Sequence, residues 1–235
     1  MKRILIVKTG SAPEAVRATH GDFTDWFAEL LAGRALATVV DAVEGELPVP
    51  VPYAGILVTG SLASATRFEG WMESLAAWLL RASEERPVLG VCFGHQLLAR
   101  ALGARVERHP AGPEMGTVEV ELTREGEEDP LLQGLPTPVS VQECHEDHVP
   151  EPPPGAVVLA RNRHAPVQAF AYGPRLRAIQ FHPEFNEARN RAFTLAERAE
   201  LERLRPGLSE DVLASIRPTP HGPRVVHNWL DAFVS

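Results

Sequence analysis

A cysteine set between two glycines, and a histidine followed two residues later by a glutamate, are the side chains in this sequence best placed for covalent chemistry. Cys92 stands in Gly90-Val91-Cys92-Phe93-Gly94. Residues 88–91 are an apolar run too short for a helix, and residues 96–102 repeat their apolar side chains at helical spacing. Strand therefore passes to helix at the cysteine. Gly90 and Gly94 remove the Cβ atoms that so sharp a bend would crowd, which is the geometry of a nucleophile elbow with sulfur in place of oxygen. Such a turn sets the thiol at a helix N-terminus, where unpaired N–H groups and the helix dipole favour the thiolate. It also aims the N–H of Phe93 at the place where an oxyanion would form. Without its glycines, Cys92 would read as a small buried core residue.

Phe181-His182-Pro183-Glu184 supplies the complementary half. In extended chain residues i and i+2 point the same way, so His182 and Glu184 share a face while Pro183 holds His182 in the β region. A histidine backed by a carboxylate is an oriented general base; with an elbow cysteine elsewhere it completes a nucleophile, base and orienter. Taken alone, His182 reads equally as a structural or surface histidine. Gly60, followed by Ser61 at the end of a third strand, would let backbone approach a ligand and offer a second oxyanion N–H, or it is an ordinary turn glycine. His145-Glu146-Asp147-His148 could be a metal cluster. No third histidine or cysteine pair sits at ligand spacing, and such runs are commonly solvated loops, so neither metal nor cofactor is expected. Cys144 lacks flanking glycines and reads as a structural thiol.

The elements that must position these residues alternate. Residues 2–7 form a buried first strand, Asp22 caps a helix whose face is Phe23, Trp26, Phe27, Leu30 and Leu31, and residues 35–40 and 55–59 give two further strands. A helix is expected over 68–81, just before the elbow. This order calls for an α/β fold: a mostly parallel central sheet with helices on both faces and its site at the carboxyl ends of the strands. From 115 to 177 the pattern turns to short alternating runs, at 117–122, 139–142, 157–160, 167–171 and 176–181. Joined by turns such as Tyr172-Gly173-Pro174-Arg175, they predict an antiparallel hairpin extension of the sheet. Beyond Glu184 come an amphipathic stretch over 186–204, a short helix over 209–216 and a last helix over 223–233, which are extra C-terminal helices.

At 235 residues and 44 % hydrophobic content the chain can bury a full core, and it fits one domain better than two. Two cysteines make no disulfide framework. The sequence has neither a leader-like segment nor a long apolar run, so a soluble cytoplasmic protein without membrane contact is expected. A formal net charge of -8 with no basic run argues against nucleic acid. No P-loop motif appears.

The elbow Gly90-Val91-Cys92-Phe93-Gly94-His95-Gln96, the late His182-Pro183-Glu184 and the segment His145-Glu146-Asp147-His148-Val149 together resemble the class I (triad) glutamine amidotransferases. The resemblance covers residues 1–185, and within the family the wording is closest to stand-alone GMP synthase-like proteins and plant γ-glutamyl peptidases. It implies one amidotransferase-like domain over 1–235, with 185–235 as a helical extension. By resemblance Cys92 is the nucleophile, His182 the base and Glu184 its orienter; Gly60 and Phe93 match the oxyanion positions. Gln96, with Ser61, His145 and Asp147, falls at substrate-contact positions. The implied reaction is hydrolysis of a γ-carboxamide through a γ-glutamyl thioester, with glutamine as default substrate. A γ-glutamyl peptide or amine is the alternative, and a non-catalytic binding protein on the same fold is the reading of another class. A synthetase subunit is a partner the resemblance allows, and the added helices could shape the pocket mouth, cover an edge or build a homodimer contact.

Overall fold

The computed structural model describes residues 1–68 and 70–234. In chain order the elements are β1 (Lys2–Lys8), α1 (Glu14–His20), α2 (Phe23–Leu31), β2 (Ala35–Asp41), β3 (Gly55–Val58), α3 (Gly70–Ser83), β4 (Val88–Val91) and α4 (Phe93–Ala101). There follow β5 (Glu107–Arg108), β6 (Glu114–Leu122), α5 (Arg124–Glu128), β7 (Val139–His145), β8 (Asp147–His148), β9 (Val157–Arg161), β10 (Ala169–Tyr172) and β11 (Leu176–Ile179). The chain closes with α6 (Glu187–Ala196), α7 (Arg198–Leu204), α8 (Leu208–Ser215) and α9 (Gly222–Ala232).

Nine strands make one sheet in the order β2-β1-β3-β4-β11-β10-β9-β6-β7. The first five run parallel. From β11 to β7 every pairing is antiparallel. The expected α/β architecture is therefore present, with one correction. Residues 176–181 do not simply end the antiparallel extension: β11 pairs parallel with β4, Ala178 opposite Gly90 and Ile179 opposite Val91, and antiparallel with β10. Both of its faces are buried, so its apolar run carries no alternation from which its partner could be read.

Two cores flank the sheet. On one side Phe27 and Leu31 of α2 pack with Val225, Val226, Trp229 and Leu230 of α9; on the other Met72, Leu75 and Leu79 of α3 pack with Leu97 and Leu98 of α4. Asp22 caps α2 in a reciprocal box with Asp25, as its side chain predicts. The last helix is thus core rather than appendage: a Cβ at Gly55 would stand 2.8 Å from the Trp229 ring and 2.9 Å from Val234. The amphipathic stretch expected over 186–204 is two helices that meet at Glu197. Helices α1 and α5 have no counterpart in the sequence reading, because each is a single short, mostly polar segment. The helix expected from 68 is described from Gly70, and Glu69 lies outside the described residues. No helix among the described residues is long and apolar enough to cross a membrane.

Candidate active site

β3, β4 and β11 are neighbours in the sheet and run the same way. Their carboxyl ends deliver Gly60, Cys92 and His182 to one place, where an open parallel sheet offers its site. Cys92 has φ 52° and ψ -104°, the only positive φ outside glycine among the described residues. Holding a side chain there costs about 1–3 kcal/mol and persists only where the surroundings enforce it. They do so closely. A Cβ at Gly90 would meet Leu98 Cδ1 at 2.5 Å and Gly94 O at 2.7 Å, and one at Gly94 would meet Val58 O at 2.9 Å. The strand-to-helix crossing is so tight that only glycine fits on either side of the cysteine.

A Cβ placed on Gly60 would lie 3.0 Å from His182 Cε1 and 3.9 Å from Cys92 Sγ. Backbone, thiol and imidazole thus converge around this glycine. Among the described residues the N–H of Gly60 has no partner, and Phe93 opens α4, where N–H groups have no intrahelical acceptor. The Gly60 carbonyl is held instead by the Thr9 and Thr59 hydroxyls at 3.1 and 3.0 Å. Thr9, at the end of β1, is a positioning residue that the sequence reading missed; its one signal is that it too closes a parallel strand.

His182 Nδ1 lies 2.7 Å from Glu184 Oε1, both side chains buried. The pair forms differently from the extended i, i+2 geometry expected: β11 stops at Ile179, and His182 and Glu184 sit in the turn after it. Burial alone would lower the imidazole, but the Glu184 and Cys92 charges and the hydrogen bonds to both raise it well above the usual histidine range. Phe185 stacks on the ring at 4.2 Å, and Phe23 lies beyond at 6.3 Å. Burial, with the charges of Cys92, Glu197 and Glu143, pushes the Cys144 thiol well above its ordinary range, while its carbonyl lies 3.8 Å from Cys92 Sγ.

A cavity of about 210 Å³ opens on Cys92, and Ser61, Gln96, His145 and Asp147 are among the residues that line it. The Gln96 amide donates to Asp147 O at 2.8 Å and to Gln180 Oε1 at 3.1 Å, and Asp147 Oδ2 accepts from Ser64. The Ser61 hydroxyl donates to Thr9 O at 2.8 Å. The run at 145–148 is not a solvated loop: His145, Asp147 and His148 are buried, since β7 and β8 carry them under the pocket. His145 Nδ1 donates to Asp147 O at 2.9 Å, and its Nε2 lies 3.1 Å from Glu114 Oε2 and 3.6 Å from Glu143 Oε2. Glu114, Glu143 and His145 are the residues whose ligand atoms converge closely enough to hold a metal ion among those described. Glu143 is fully buried, and burial followed by the Glu114 charge pushes its carboxyl well up.

The opposite wall comes from the C-terminal helices, for which shaping the pocket mouth was one of the roles expected, without particular residues. Phe193, Glu197, Glu200, Leu201 and Leu204, from the α6–α7 segment, line the same cavity as Cys92. In sequence they read only as one amphipathic stretch, because nothing local says which buried face meets the site.

Residues 22–200 match the model of a family described as glutamine amidotransferase class-I. The GMP synthase [glutamine-hydrolyzing] of Aeropyrum pernix is 38 % identical over 173 residues, covering 69 % of this chain and 32 % of that one. The chain therefore spans about a third of that relative. Gamma-glutamyl peptidase 4 of Arabidopsis thaliana is 29 % identical over 192 residues, covering 79 % of this chain and 76 % of the peptidase. A crystal structure of a glutamine amidotransferase from Thermotoga maritima has the same fold, with a TM-score of 0.78 at 22 % identity over 100 % of this chain and 98 % of that one.

Proposed function

The chain belongs to the class I glutamine amidotransferases, and on that footing we propose that it hydrolyses a γ-glutamyl amide bond through Cys92, His182 and Glu184. The observation that carries this reading is the convergence of the Cys92 thiol and the His182 imidazole on Gly60, with Glu184 2.7 Å behind the imidazole. A histidine kept protonated beside a cysteine is the partner a thiolate needs. The Cys92 thiolate attacks the amide carbonyl, and the oxyanion rests on the Gly60 and Phe93 N–H groups, each preorganised donor being worth about 3 kcal/mol. His182 gives its proton to the departing nitrogen, which leaves as the C–N bond breaks and the γ-glutamyl thioester remains. A water then attacks the thioester, losing its proton to His182, and glutamate departs as the thiolate returns. Glu184 holds the ring in place and balances its charge. Gln96, Asp147 and His145 hold the glutamyl half against the wall they share.

The substrate is a small γ-glutamyl compound, with glutamine the smallest. The cavity is lined by residues on both sides of Cys92, among them Gln96, Asp147, Phe193 and Leu201, and turnover without a synthetase subunit is part of this reading. The test is hydrolysis of glutamine by the purified protein in hydroxylamine, which intercepts a thioester as γ-glutamyl hydroxamate. Hydroxamate is expected from the wild type and not from Cys92→Ala. Ammonia release equal in both proteins would overturn the assignment.

A further inference from the structure

The Cys92 cavity has two unlike walls, and the leaving group must lie along one of them. His182 delivers the proton to the departing nitrogen, so that nitrogen's substituent lies on the His182 side. Behind His182 the buried Phe185 stacks on the ring at 4.2 Å, and Phe193, 5.7 Å from Phe185, brings that aromatic cluster to the cavity wall; one helical turn on from Phe193 the wall holds Glu197, whose N–H donates to Phe193 O at 3.0 Å. Glu197 is half-buried and faces the cavity, where burial and the Glu200 charge push its carboxyl up. Among the described residues its side chain has no cation and no hydrogen-bond donor, whereas Glu200 is paired with Arg203 and Glu146 with Arg108. Past Leu204 the cavity continues into a second of about 770 Å³, the two sharing Arg108, Pro113, Glu146 and Leu204. The arginines at that far end are already neutralised: Arg108 by Glu146 and Arg205 by Asp211, each at 2.7 Å. The free charge along the leaving-group path is a carboxylate.

We infer that Glu197 selects γ-glutamyl amides whose leaving group is an alkylamine bearing a second, protonated amine, and disfavours leaving groups that end in a carboxylate. This rests on the hydrolase reading above and adds the substrate class to it. The alkyl chain lies along Phe193 and Leu201, and the distant ammonium meets the Glu197 carboxylate. A role in holding the glutamyl α-ammonium is the competing one, and it would touch every substrate alike.

The test compares γ-glutamyl amides that differ only in the leaving group: a diaminoalkane, the alkylamine of equal length and the ω-amino acid of equal length. For the wild type, kcat/KM should be highest for the diamine amide, by about fivefold over the alkylamine amide, as one half-exposed ion pair gives. Glu197→Gln should remove that advantage through KM, and Glu197→Lys should transfer it to the ω-amino acid amide. An equal loss on all three amides would overturn the inference in favour of the glutamyl half, and unchanged ratios would overturn it outright. Failure of the hydrolase reading is distinguishable: the wild type would then give no hydroxamate from any of these compounds or from glutamine, and the inference falls with it.

Discussion

The parallel and antiparallel halves of the sheet meet at β11, which pairs parallel with β4 and antiparallel with β10, and they serve the site by different means. On the parallel side, position is set by backbone. Cys92 is locked at φ 52°, Gly90 and Gly94 have no room for a Cβ, and the Gly60 loop is tied by Thr9 and Thr59. On the other side side chains do the positioning: Glu184 on His182, Glu114 on His145, Phe193 and Glu197 on the cavity wall. Backbone placement tolerates almost no substitution, whereas side-chain placement can be retuned one residue at a time. On the proposed reading bond-making draws on both halves, Cys92 from the first and His182 from the second, and the choice of leaving group draws on the second.

The largest expected effect tests the parallel half. Cys92→Ala should lower kcat/KM at least about 10⁴-fold, because the covalent step is lost. The fold should stay intact, since alanine keeps the same Cβ at φ 52° and removes only the sulfur; circular dichroism and thermal melts check this. Gly94→Ala should fail in the opposite way. Its new methyl would stand 2.9 Å from Val58 O, so a loss of about 2–3 kcal/mol in stability is expected from denaturant unfolding. A Gly94→Ala protein as stable as wild type would mean that backbone crowding does not hold the elbow.

Next in size are the changes on the other side of the junction. His182→Asn should cost nearly as much in kcat/KM as losing Cys92, and Glu184→Gln less, about 10⁴-fold, because it orients without carrying the proton. The double variant Cys92→Ala/His182→Asn should be no worse than Cys92→Ala alone. Additive losses would break the view that the two halves act as one unit.

These differences also explain what could be read from sequence. Gly90, Cys92 and Gly94 lie within five residues, so their geometry is local and legible, and His182-Pro183-Glu184 is equally compact. The parallel pairing of β11 with β4 is not local. Leu176 to Ile179 is buried on both faces, so no polar alternation marks its neighbours. The break at Glu197 was hidden because α6 and α7 are both charged and amphipathic, with neither proline nor glycine between them. Nor could the run at 145–148 be seen as buried: the contact of His145 with Glu114 spans thirty-one residues, a separation that no motif encodes.

A smaller effect measures how tightly the halves are coupled. His182 is raised by Glu184 first and by Cys92 next, against a burial that lowers it. Removing the thiolate should therefore move the imidazole down, and in Cys92→Ala the ring should lose its proton at lower pH than in the wild type. NMR titration of the His182 ring protons reads this directly. An unchanged titration would mean that Glu184 alone sets the charge and that the cysteine is electrostatically silent.

The smallest effect concerns a residue that the chemistry does not use. Glu143 is fully buried on β7, neither carboxyl oxygen has a hydrogen-bond partner among the described residues, and burial followed by the Glu114 charge holds its proton well above the ordinary value of 4.5. An acid whose folded value is raised binds a proton more tightly folded than unfolded. Its presence therefore makes the protein lose stability as pH rises from about 4.5 toward the folded value. Glu143→Gln keeps the shape, removes that dependence, and offers an amide N–H to Glu114, whose ligand atom lies within 4.8 Å. We expect a gain of about 1 kcal/mol at neutral pH and no gain at pH 4. Urea unfolding of wild type and variant at both pH values measures it. A variant less stable than wild type at pH 7 would mean that the Glu143 carboxylate is charged and balanced by a cation among Glu114, Glu143 and His145. The antiparallel half would then hold a second fixed point as rigid as the elbow, instead of a surface of adjustable side chains.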